Sequence, residues 1–321
     1  MYEPEGLGNA VPRRRSRYRL LESVPSVSPC VTYLITIGRI WGRVELSPQP
    51  FQFFTLLRPV WLGYPCCGYR HGPNSLHSVA IFILMNPEYP TLEAEAVLFA
   101  HRGARAHAPD NTLEAFTLGL RLGATGLESD VWITADGVAV LDHDGVVGGT
   151  FRRKPISSVH RQELPPHIPS LAELYEECGH EYELSLDIKD PNATQEVLRV
   201  ARSFGACEQL WLCHPDLELL ESWRELSRPA RLVHSTRLTA MSFGAERHAA
   251  QLRQAGIDAV NLHHSEWSAG QVTLFHRFTR FTLGWDAQYE RTIGALLQMG
   301  IDGVFSDHVD RMVDLATQES E

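Results

Sequence analysis

The chain is poor in the features that mark membrane-spanning, secreted and nucleic-acid-binding proteins. Its longest uninterrupted apolar run covers residues 79–85, far short of the roughly 20 residues that a helix needs to cross a bilayer. The basic cluster at residues 13–19 is followed by glutamate and prolines, so no secretory signal peptide is predicted. The net charge of −10 at pH 7 argues against a nucleic-acid partner, which needs a basic face. We therefore expect a cytoplasmic protein without a transmembrane segment.

Cysteine and lysine are also scarce. The six cysteines include no C-x-x-C pair, so a structural zinc site is not predicted. Only two of the 29 basic residues are lysines, Lys154 and Lys189, which makes a lysine inside a motif notable. The composition is otherwise globular, with 44% hydrophobic and 21% charged residues, and 321 residues allow one large domain or two modest ones.

The chain divides into two stretches of different character near Met85. Residues 1–84 contain nine of the 19 prolines and no aspartate, and neither helical nor strand periodicity persists there. We expect these residues to form a poorly ordered or non-native extension, with residues 85–321 as the folded domain. The alternative is a regulatory or membrane-associating extension.

From Ala96 onward, short β-rich runs alternate with amphipathic helical stretches, the pattern of βα units around a parallel sheet. Strands are predicted at 97–100, 126–132, 139–141, 182–188, 210–213, 231–234, 259–262, 281–285 and 303–306. Helices are predicted at 112–122, 170–178, 193–204, 217–226, 245–255 and 289–299. These lengths fit a (β/α)₈ TIM barrel of about 225 residues. A doubly wound open sheet competes, but no glycine-rich turn follows the first strand to bind a dinucleotide.

Charged and titratable residues follow the first two strands, where the catalytic groups of such barrels lie. His101 and Arg102 end the first strand. Glu128 and Asp130 are two residues apart in the second strand, so their side chains project to the same face. Two carboxylates this close repel each other unless a cation or a shared proton compensates, and Mg²⁺ and Ca²⁺ both prefer oxygen ligands. The alternative is that both carboxylates face solvent.

Two later segments also end in polar groups. His143 follows the short strand at 139–141, and its imidazole can give or take a proton near neutral pH, like that of His101. Asp187 and Lys189 lie at the end of the predicted strand 182–188. Asp187 would supply a third oxygen ligand, and Lys189 a positive charge for an anionic substrate. Two strand-end histidines together suggest an acid and a base.

In this order, the motifs resemble the glycerophosphodiester phosphodiesterase family, within the phosphatidylinositol phospholipase C-like phosphodiesterase superfamily. The resemblance covers about residues 96–310 of the chain. The matching segments are His101-Arg102-Gly103, Pro109-Asp110-Asn111-Thr112, Gly123-Ala124, Glu128-Ser129-Asp130-Val131, Thr134-Ala135-Asp136-Gly137, His143-Asp144, Ile168-Pro169-Ser170-Leu171, Asp187-Ile188-Lys189, Trp285, Gly300-Ile301-Asp302-Gly303 and Ser306-Asp307.

The resemblance implies a (β/α)₈ barrel and a phosphoric diester hydrolase of lipid and glycerol metabolism. The implied reaction cleaves a small-molecule glycerophosphodiester to glycerol 3-phosphate and an alcohol. A divalent metal ion, Ca²⁺ or Mg²⁺, would be held by Glu128, Asp130 and Asp187. His101 and His143 would be the acid/base pair, with the division of roles left open, as is the choice between water and a substrate hydroxyl as the attacking group.

The remaining family positions concern the substrate. Arg102 and Lys189 would bind its phosphate, because a metal and two cations lower the barrier to attack on an anion. Trp285 would line the cleft, and Asp110 and Asn111 would support the site.

Three positions depart from the family pattern. Asp110 and Asp187 stand where the family usually has glutamate, and Gln288 stands where it usually has asparagine. Each keeps its chemical type and changes reach by one methylene, ~1.5 Å. These changes put the metal preference in doubt while leaving the chemistry in place.

Two other functions remain open. One is a phospholipase D-like or phosphatidylinositol phospholipase C-like enzyme that acts on lysophospholipids or lipid diesters. The other is an inactive barrel that serves as a binding module, although such a barrel would lose its titratable residues first. Several further side chains are interpreted as structural, namely His214, His234, His263, His264, Trp211, Trp223 and Trp267. The alternative for the four histidines is that they line the cleft.

Overall fold

Eight parallel strands close into a barrel in the computed structural model, which describes residue 92, residues 95–149 and residues 152–320. The strands are β1 Val97–His101, β2 Gly126–Ile133, β3 Glu183–Ile188, β4 Leu210–His214, β5 Arg231–Ser235, β6 Ala259–His263, β7 Phe281–Trp285 and β8 Gly303–Ser306. Each pairs in parallel with the next, and β8 returns to β1 with Gly303 opposite Val97. The predicted (β/α)₈ fold is confirmed. The predicted extension at 1–84 and its boundary at Met85 lie outside the described residues.

Helices cover the outside of the ring. They are α1 Leu113–Arg121, α2 Leu171–Cys178, α3 Thr194–Phe204, α4 Leu217–Ser227, α5 Ala245–Ala255, α6 Ala269–Arg277, α7 Glu290–Gln298 and α8 Val309–Ser320. The side chain of Thr112 caps α1 by accepting from the Ala115 amide at 3.2 Å. Ser170 and Glu173 form a reciprocal capping box at the start of α2. Among the helices of the described part of the chain, none is both long and apolar enough to cross a membrane.

The short strand Ala139–Leu141 is not part of the ring. It pairs antiparallel with the far end of β2, with Leu141 opposite Val131. The turn at Gly137, which has a φ of 82°, reverses the chain directly after β2, and a parallel pair would need a much longer connection. His143 therefore follows a short strand, as predicted, but this strand is an accessory to the barrel, whereas His101 ends a strand of the ring.

The lower, N-terminal half of the barrel is filled by large apolar side chains that point inward from alternate strand positions. Phe99 stacks on Phe305 with ring centroids 4.5 Å apart and meets the edge of Trp211 at 6.0 Å. Phe99 fits because a neighbouring strand begins with glycine: a Cβ on Gly126 would lie 2.7 Å from the Phe99 ring. Trp211 is fully buried, as its structural interpretation requires.

Charges at the floor of this half are paired with one another. Glu183 accepts from Trp211 Nε1 at 2.5 Å and from Arg231 Nη1 at 3.0 Å. The Arg231 guanidinium also lies 4.6 Å from the Trp211 ring centroid. The barrel is thus packed at its N-terminal end and polar at its C-terminal mouth.

Candidate functional site

Three carboxylates converge at the mouth of the barrel. Glu128 and Asp130 point inward from β2, and Asp187 lies on β3 directly opposite Asp130 in the strand register. One carboxylate oxygen from each of the three residues lies within 4.8 Å of the other two. Glu128 and Asp130 are buried, and Asp130 Oδ2 has no hydrogen-bond partner among the described residues. A set of oxygen donors in which a buried carboxylate atom lacks a hydrogen bond fits a divalent cation such as Ca²⁺ or Mg²⁺.

Two cations lie against these carboxylates. Lys189 Nζ is 3.0 Å from Asp130 Oδ1 and 3.0 Å from Asp187 Oδ2. Arg102 Nε is 3.4 Å from Asp130 Oδ2, and its Nη1 is 3.3 Å from Asp110 Oδ2. Burial lowers the pKa of Lys189, but Asp187 and Asp130 outweigh it and raise that pKa, so the ammonium stays charged.

Glu128 is the carboxyl group most strongly affected by its surroundings. Burial raises the pKa of Glu128 to about 7, and Asp130 and Asp187 add to the rise, while His101 opposes it. The Arg102 amide donates to Glu128 Oε2 at 2.9 Å. Near neutral pH this carboxyl group therefore holds a proton part of the time, and a metal ion would compete with that proton.

His101 is held in a fixed orientation at the end of β1. Its Nδ1 lies 2.5 Å from Asp307 Oδ1, and its Nε2 lies 3.7 Å from Glu128 Oε2. Arg105 Nη1 binds the other oxygen of Asp307 at 3.3 Å. Burial lowers the pKa of His101, but Glu128 and Asp307 outweigh it, so that pKa is raised. Asp307 keeps the proton on Nδ1 and directs Nε2 toward the carboxylates.

A strained turn aims Arg102 at the mouth. Arg102 has a φ of 52° and Gly103 a φ of 76°, and a Cβ on Gly103 would lie 2.5 Å from the Ala115 carbonyl carbon. Asn111, itself at a φ of 54°, donates its amide to the Arg102 carbonyl at 3.0 Å and accepts from Ser129 Oγ at 2.7 Å. Strain of this kind is typical of functional sites, and it explains the glycine after the His-Arg pair.

His143 is placed differently from His101. Its side chain is 46% exposed and its Nδ1 lies 2.9 Å from Asp144 Oδ1. It does not line the cavity at the mouth. The loop that carries it is nevertheless anchored beside the carboxylates, because the Asp142 amide donates to the Asp130 carbonyl at 3.1 Å.

The mouth encloses a cavity of about 650 Å³, a volume suited to a small molecule. The strands β1, β2 and β3 supply one wall of this cavity, which is charged. Of the predicted site residues that line the cavity, all except Trp285 lie on this wall. The opposite wall comes from β5, β6 and β7 and includes Ser235, Thr236, Arg237, Asn261 and Trp285. Sequence patterns predicted no role for Asp307, Arg105, Ser235, Asn261 or Arg237, although Ser235 ends β5 and Arg237 and Asp307 lie just beyond the ends of β5 and β8.

The side chains interpreted as structural have protein partners. His234 is buried and bonds His248 Nε2 and the Pro215 carbonyl, each at 3.0 Å. Trp223 and Trp267 are buried. His263 is bonded through Nε2 at 3.2 Å to Asp286, which lines the cavity.

Comparisons with known proteins agree with this geometry. The sequence model of the glycerophosphoryl diester phosphodiesterase family matches residues 101–311. A glycerophosphodiester phosphodiesterase from Bacillus altitudinis is 22% identical over 247 residues, which cover 68% of this chain and 97% of the relative. The crystal structure of a glycerophosphodiester phosphodiesterase from Thermotoga maritima has a TM-score of 0.61 at 22% identity, over 70% of this chain and 99% of the other. A phosphodiesterase from Oleispira antarctica, solved with the product sn-glycerol 3-phosphate, has a TM-score of 0.58 at 22% identity, over 69% and 96%.

Proposed function

The chain belongs to the glycerophosphoryl diester phosphodiesterase family and is a phosphoric diester hydrolase, and we propose that it hydrolyses glycerophosphodiesters by a metal-dependent reaction at the barrel mouth. The products would be glycerol 3-phosphate and an alcohol. The observation that carries the proposal is the convergence of Glu128, Asp130 and Asp187 within 4.8 Å beside Arg102 and Lys189. The Oleispira antarctica phosphodiesterase, which shares the fold, holds sn-glycerol 3-phosphate as its product.

The three carboxylates would hold one Ca²⁺ or Mg²⁺ ion. When bound, the ion would polarise the phosphate and offset the charge that develops during attack. Lys189 Nζ contacts both Asp130 and Asp187. If a metal ion bound those oxygens, the ammonium group would be available to bind the substrate phosphate. Arg102 would bind the same phosphate, kept in place by Asp110 and Asn111.

His101 would exchange a proton with the substrate through Nε2, because Asp307 occupies Nδ1. We propose His143 as the second acid/base group. Its side chain would have to leave Asp144 and turn toward the cavity from a loop that Asp142 anchors to the Asp130 carbonyl. Either histidine could serve as the base.

Product analysis tests the function. The full chain would be incubated with glycerophosphocholine, glycerophosphoethanolamine, glycerophosphoinositol and a lysophospholipid, with and without EDTA. We expect glycerol 3-phosphate from at least one glycerophosphodiester, loss of product in EDTA, and recovery with excess Ca²⁺ or Mg²⁺. Cleavage of the lysophospholipid alone would favour the lipid-diester alternative, and full activity after exhaustive chelation would contradict metal dependence.

We also propose that residues 85–321 form the catalytic domain. All the site residues lie between His101 and Asp307, and the family match begins at residue 101. A chain that starts at Met85 should fold and retain full kcat. A soluble but inactive product, with the full chain active in the same assay, would contradict this boundary.

A further inference from the structure

We propose that the wall of the mouth opposite the carboxylates is a subsite for a hydroxyl-bearing alcohol group. The substrates would then be glycerophosphodiesters of polyols, and diesters of quaternary ammonium alcohols such as choline would be poor substrates. The subsite consists of Ser235, Asn261, Arg237 and Trp285. This inference rests on the proposed function, since it names the substrate class of the same site.

Strand order places this wall across from the catalytic groups. In a closed ring of eight strands, β5, β6 and β7 stand opposite β1, β2 and β3. Asn261 on β6 therefore faces the β2 carboxylates, and Trp285 on β7 faces Asp187 on β3. The groups that would bind the phosphate and act on it come from the charged wall. The opposite wall, formed by β5, β6 and β7, is therefore available for the alcohol group, which differs from one glycerophosphodiester to another.

Two oxygens on this wall lack protein partners. Asn261 is 8% exposed and lines the cavity, and its Oδ1 has no hydrogen-bond partner among the described residues. The same is true of Ser235 Oγ. A buried polar oxygen without a partner is costly, and a substrate hydroxyl could bond these atoms once the side chains turn them toward the cavity. Both side chains are neutral, which suits an uncharged polyol.

Arg237 and Trp285 disfavour a cationic group at this position. The Arg237 Cζ lies 4.6 Å from the Trp285 ring centroid, so the guanidinium covers the aromatic surface. A quaternary ammonium group binds by placing its own charge over such a surface, and here it would meet a like charge. Among the described residues, the Arg237 side chain bonds Glu266, at a long 3.5 Å, which leaves several of its five N–H donors for hydroxyl oxygens.

The carboxylate of Asp286 also lies on this wall, but its oxygens are hydrogen-bonded to other side chains and do not provide a choline-binding site. Asp286 lines the cavity, but one of its oxygens lies 3.2 Å from His263 Nε2 and the other accepts from Gln288 Nε2 at 3.2 Å. Its two oxygens are thus already engaged by neighbouring side chains. A trimethylammonium group would therefore meet the Arg237 charge on one face of Trp285 and an Asp286 carboxylate that is already hydrogen-bonded.

The test compares glycerophosphoinositol with glycerophosphocholine on the full chain. We expect kcat/KM for the inositol diester to exceed that for the choline diester by about tenfold or more, because a site built to bond hydroxyls rejects a group that lacks them. Asn261→Ala and Arg237→Ala should each lower kcat/KM for glycerophosphoinositol by about tenfold, and should lower it much less for glycerophosphocholine. Residual turnover of the choline diester reports that each variant is folded.

Arg247→Ala is the matched control. Arg247 stacks on Phe243 at 4.2 Å, but this arginine–aromatic pair lies outside the cavity at the mouth. The control should leave both kcat/KM values unchanged. If both diesters are cleaved equally well, or if Asn261→Ala weakens both equally, the subsite binds the common glycerol part and the inference is wrong, while the proposed function stands.

Failure of the proposed function would look different. In that case neither diester would release glycerol 3-phosphate, and calorimetric binding of the two diesters would decide the subsite. Binding of glycerophosphoinositol about tenfold tighter than that of glycerophosphocholine, and loss of this preference in Asn261→Ala, would support it. Equal binding, or no binding of either diester, would overturn it.

Discussion

The two ends of the barrel both contain charged side chains, and they differ in how those charges are balanced. At the closed end, Glu183 accepts hydrogen bonds from Trp211 and Arg231, so the acid and the base neutralise each other. At the mouth, three carboxylates face two cations, and Asp130 Oδ2 has no hydrogen-bond partner among the described residues. The charges at the closed end are balanced within the protein, whereas those at the mouth would be balanced by the proposed metal ion and substrate.

This difference separates stability from function along one set of strands. Glu183 and Asp187 are four residues apart on β3, yet one contributes to the packed floor and the other to the site. In (β/α)₈ barrels the bottom face serves stability and the top face serves catalysis. Uncompensated charge at the mouth costs folding free energy, and a metal ion and an anionic substrate would recover it.

The largest expected effect is on turnover at the mouth. General acid–base groups contribute ~10²–10⁴-fold each, so His101→Ala and His143→Ala should both lower kcat at least about a hundredfold. Substrate affinity should change much less, because the proposed metal ion, Arg102 and Lys189 would still hold the phosphate. Steady-state kinetics measures both. In the double variant, kcat should fall by much less than the product of the two single-variant losses, since the effects of groups that act in one step are not additive.

An activated substrate sharpens this result. A p-nitrophenyl diester needs little help from the acid, so it should rescue one of the two variants and thereby assign the roles. Because the structure places His101 in the cavity and His143 outside it, the two variants also test the proposed movement of His143. Near-normal turnover in His143→Ala, with His101→Ala inactive, would show that the second histidine takes no part in the reaction.

The contrast between the histidines shows where sequence patterns are informative. The period of two along β2 placed Glu128 and Asp130 on one face, because strand alternation is a local property. The same pattern marked residues 139–141 as a strand but could not show its direction, since pairing depends on the chain reversal at Gly137. The antiparallel pairing then removed His143 from the ring.

Asp307 shows a second limit. It lies 206 residues from His101 in sequence, and the two meet because β8 closes the ring against β1. The periodicity of a short segment of sequence cannot predict a contact between residues this far apart. The partnerless oxygens of Ser235 and Asn261 are likewise visible only once the opposite walls of the cavity are in place.

A second prediction removes one carboxylate from the mouth. Asp130→Asn keeps the shape of the side chain and removes a charge that Lys189, Arg102 and the proposed metal share. We expect kcat to fall about 10²–10³-fold, the loss typical of removing one electrostatic contact to a transition state. The melting temperature should shift by no more than about 3 °C, because relief of repulsion offsets the lost ion pairs. Wild-type metal affinity in this variant, measured by calorimetry, would contradict its role as a ligand.

A third prediction concerns pH in EDTA. The pKa of Glu128 is raised to about 7 in the folded state, so between its ordinary pKa and pH 7 the folded protein holds a proton that the unfolded chain releases. The free energy of unfolding should therefore fall as pH rises through this window, by about 3 kcal/mol in total. The raised pKa of His101 acts in the same direction, since its stabilisation is also lost as pH rises. Urea denaturation between pH 4 and pH 8 measures the change.

Glu128→Gln is the control for that prediction, because it has no carboxyl group to titrate at this position. Its stability should vary much less over the same pH range. Saturating Ca²⁺ should reverse the wild-type trend, since metal and proton compete for the same oxygens and the metal wins as pH rises. An unchanged pH dependence in Glu128→Gln would locate the effect elsewhere.

The smallest expected effect lies at the closed end. Glu183→Gln removes the charge that Arg231 and Trp211 share but keeps an oxygen to accept from both. Both ion-pair side chains are 26% exposed, so solvent screens the pair and we expect a loss of about 1–2 kcal/mol in the free energy of unfolding. Turnover should stay within about twofold of wild type, because the floor of such barrels serves stability. Glu196→Gln, which breaks the surface pair with Arg199, is the matched control and should leave the free energy of unfolding nearly unchanged. A tenfold loss of kcat in Glu183→Gln at unchanged stability would mean that the charge of Glu183 affects the reaction at the mouth. The assignment of stability to one end of the barrel and function to the other would then be wrong.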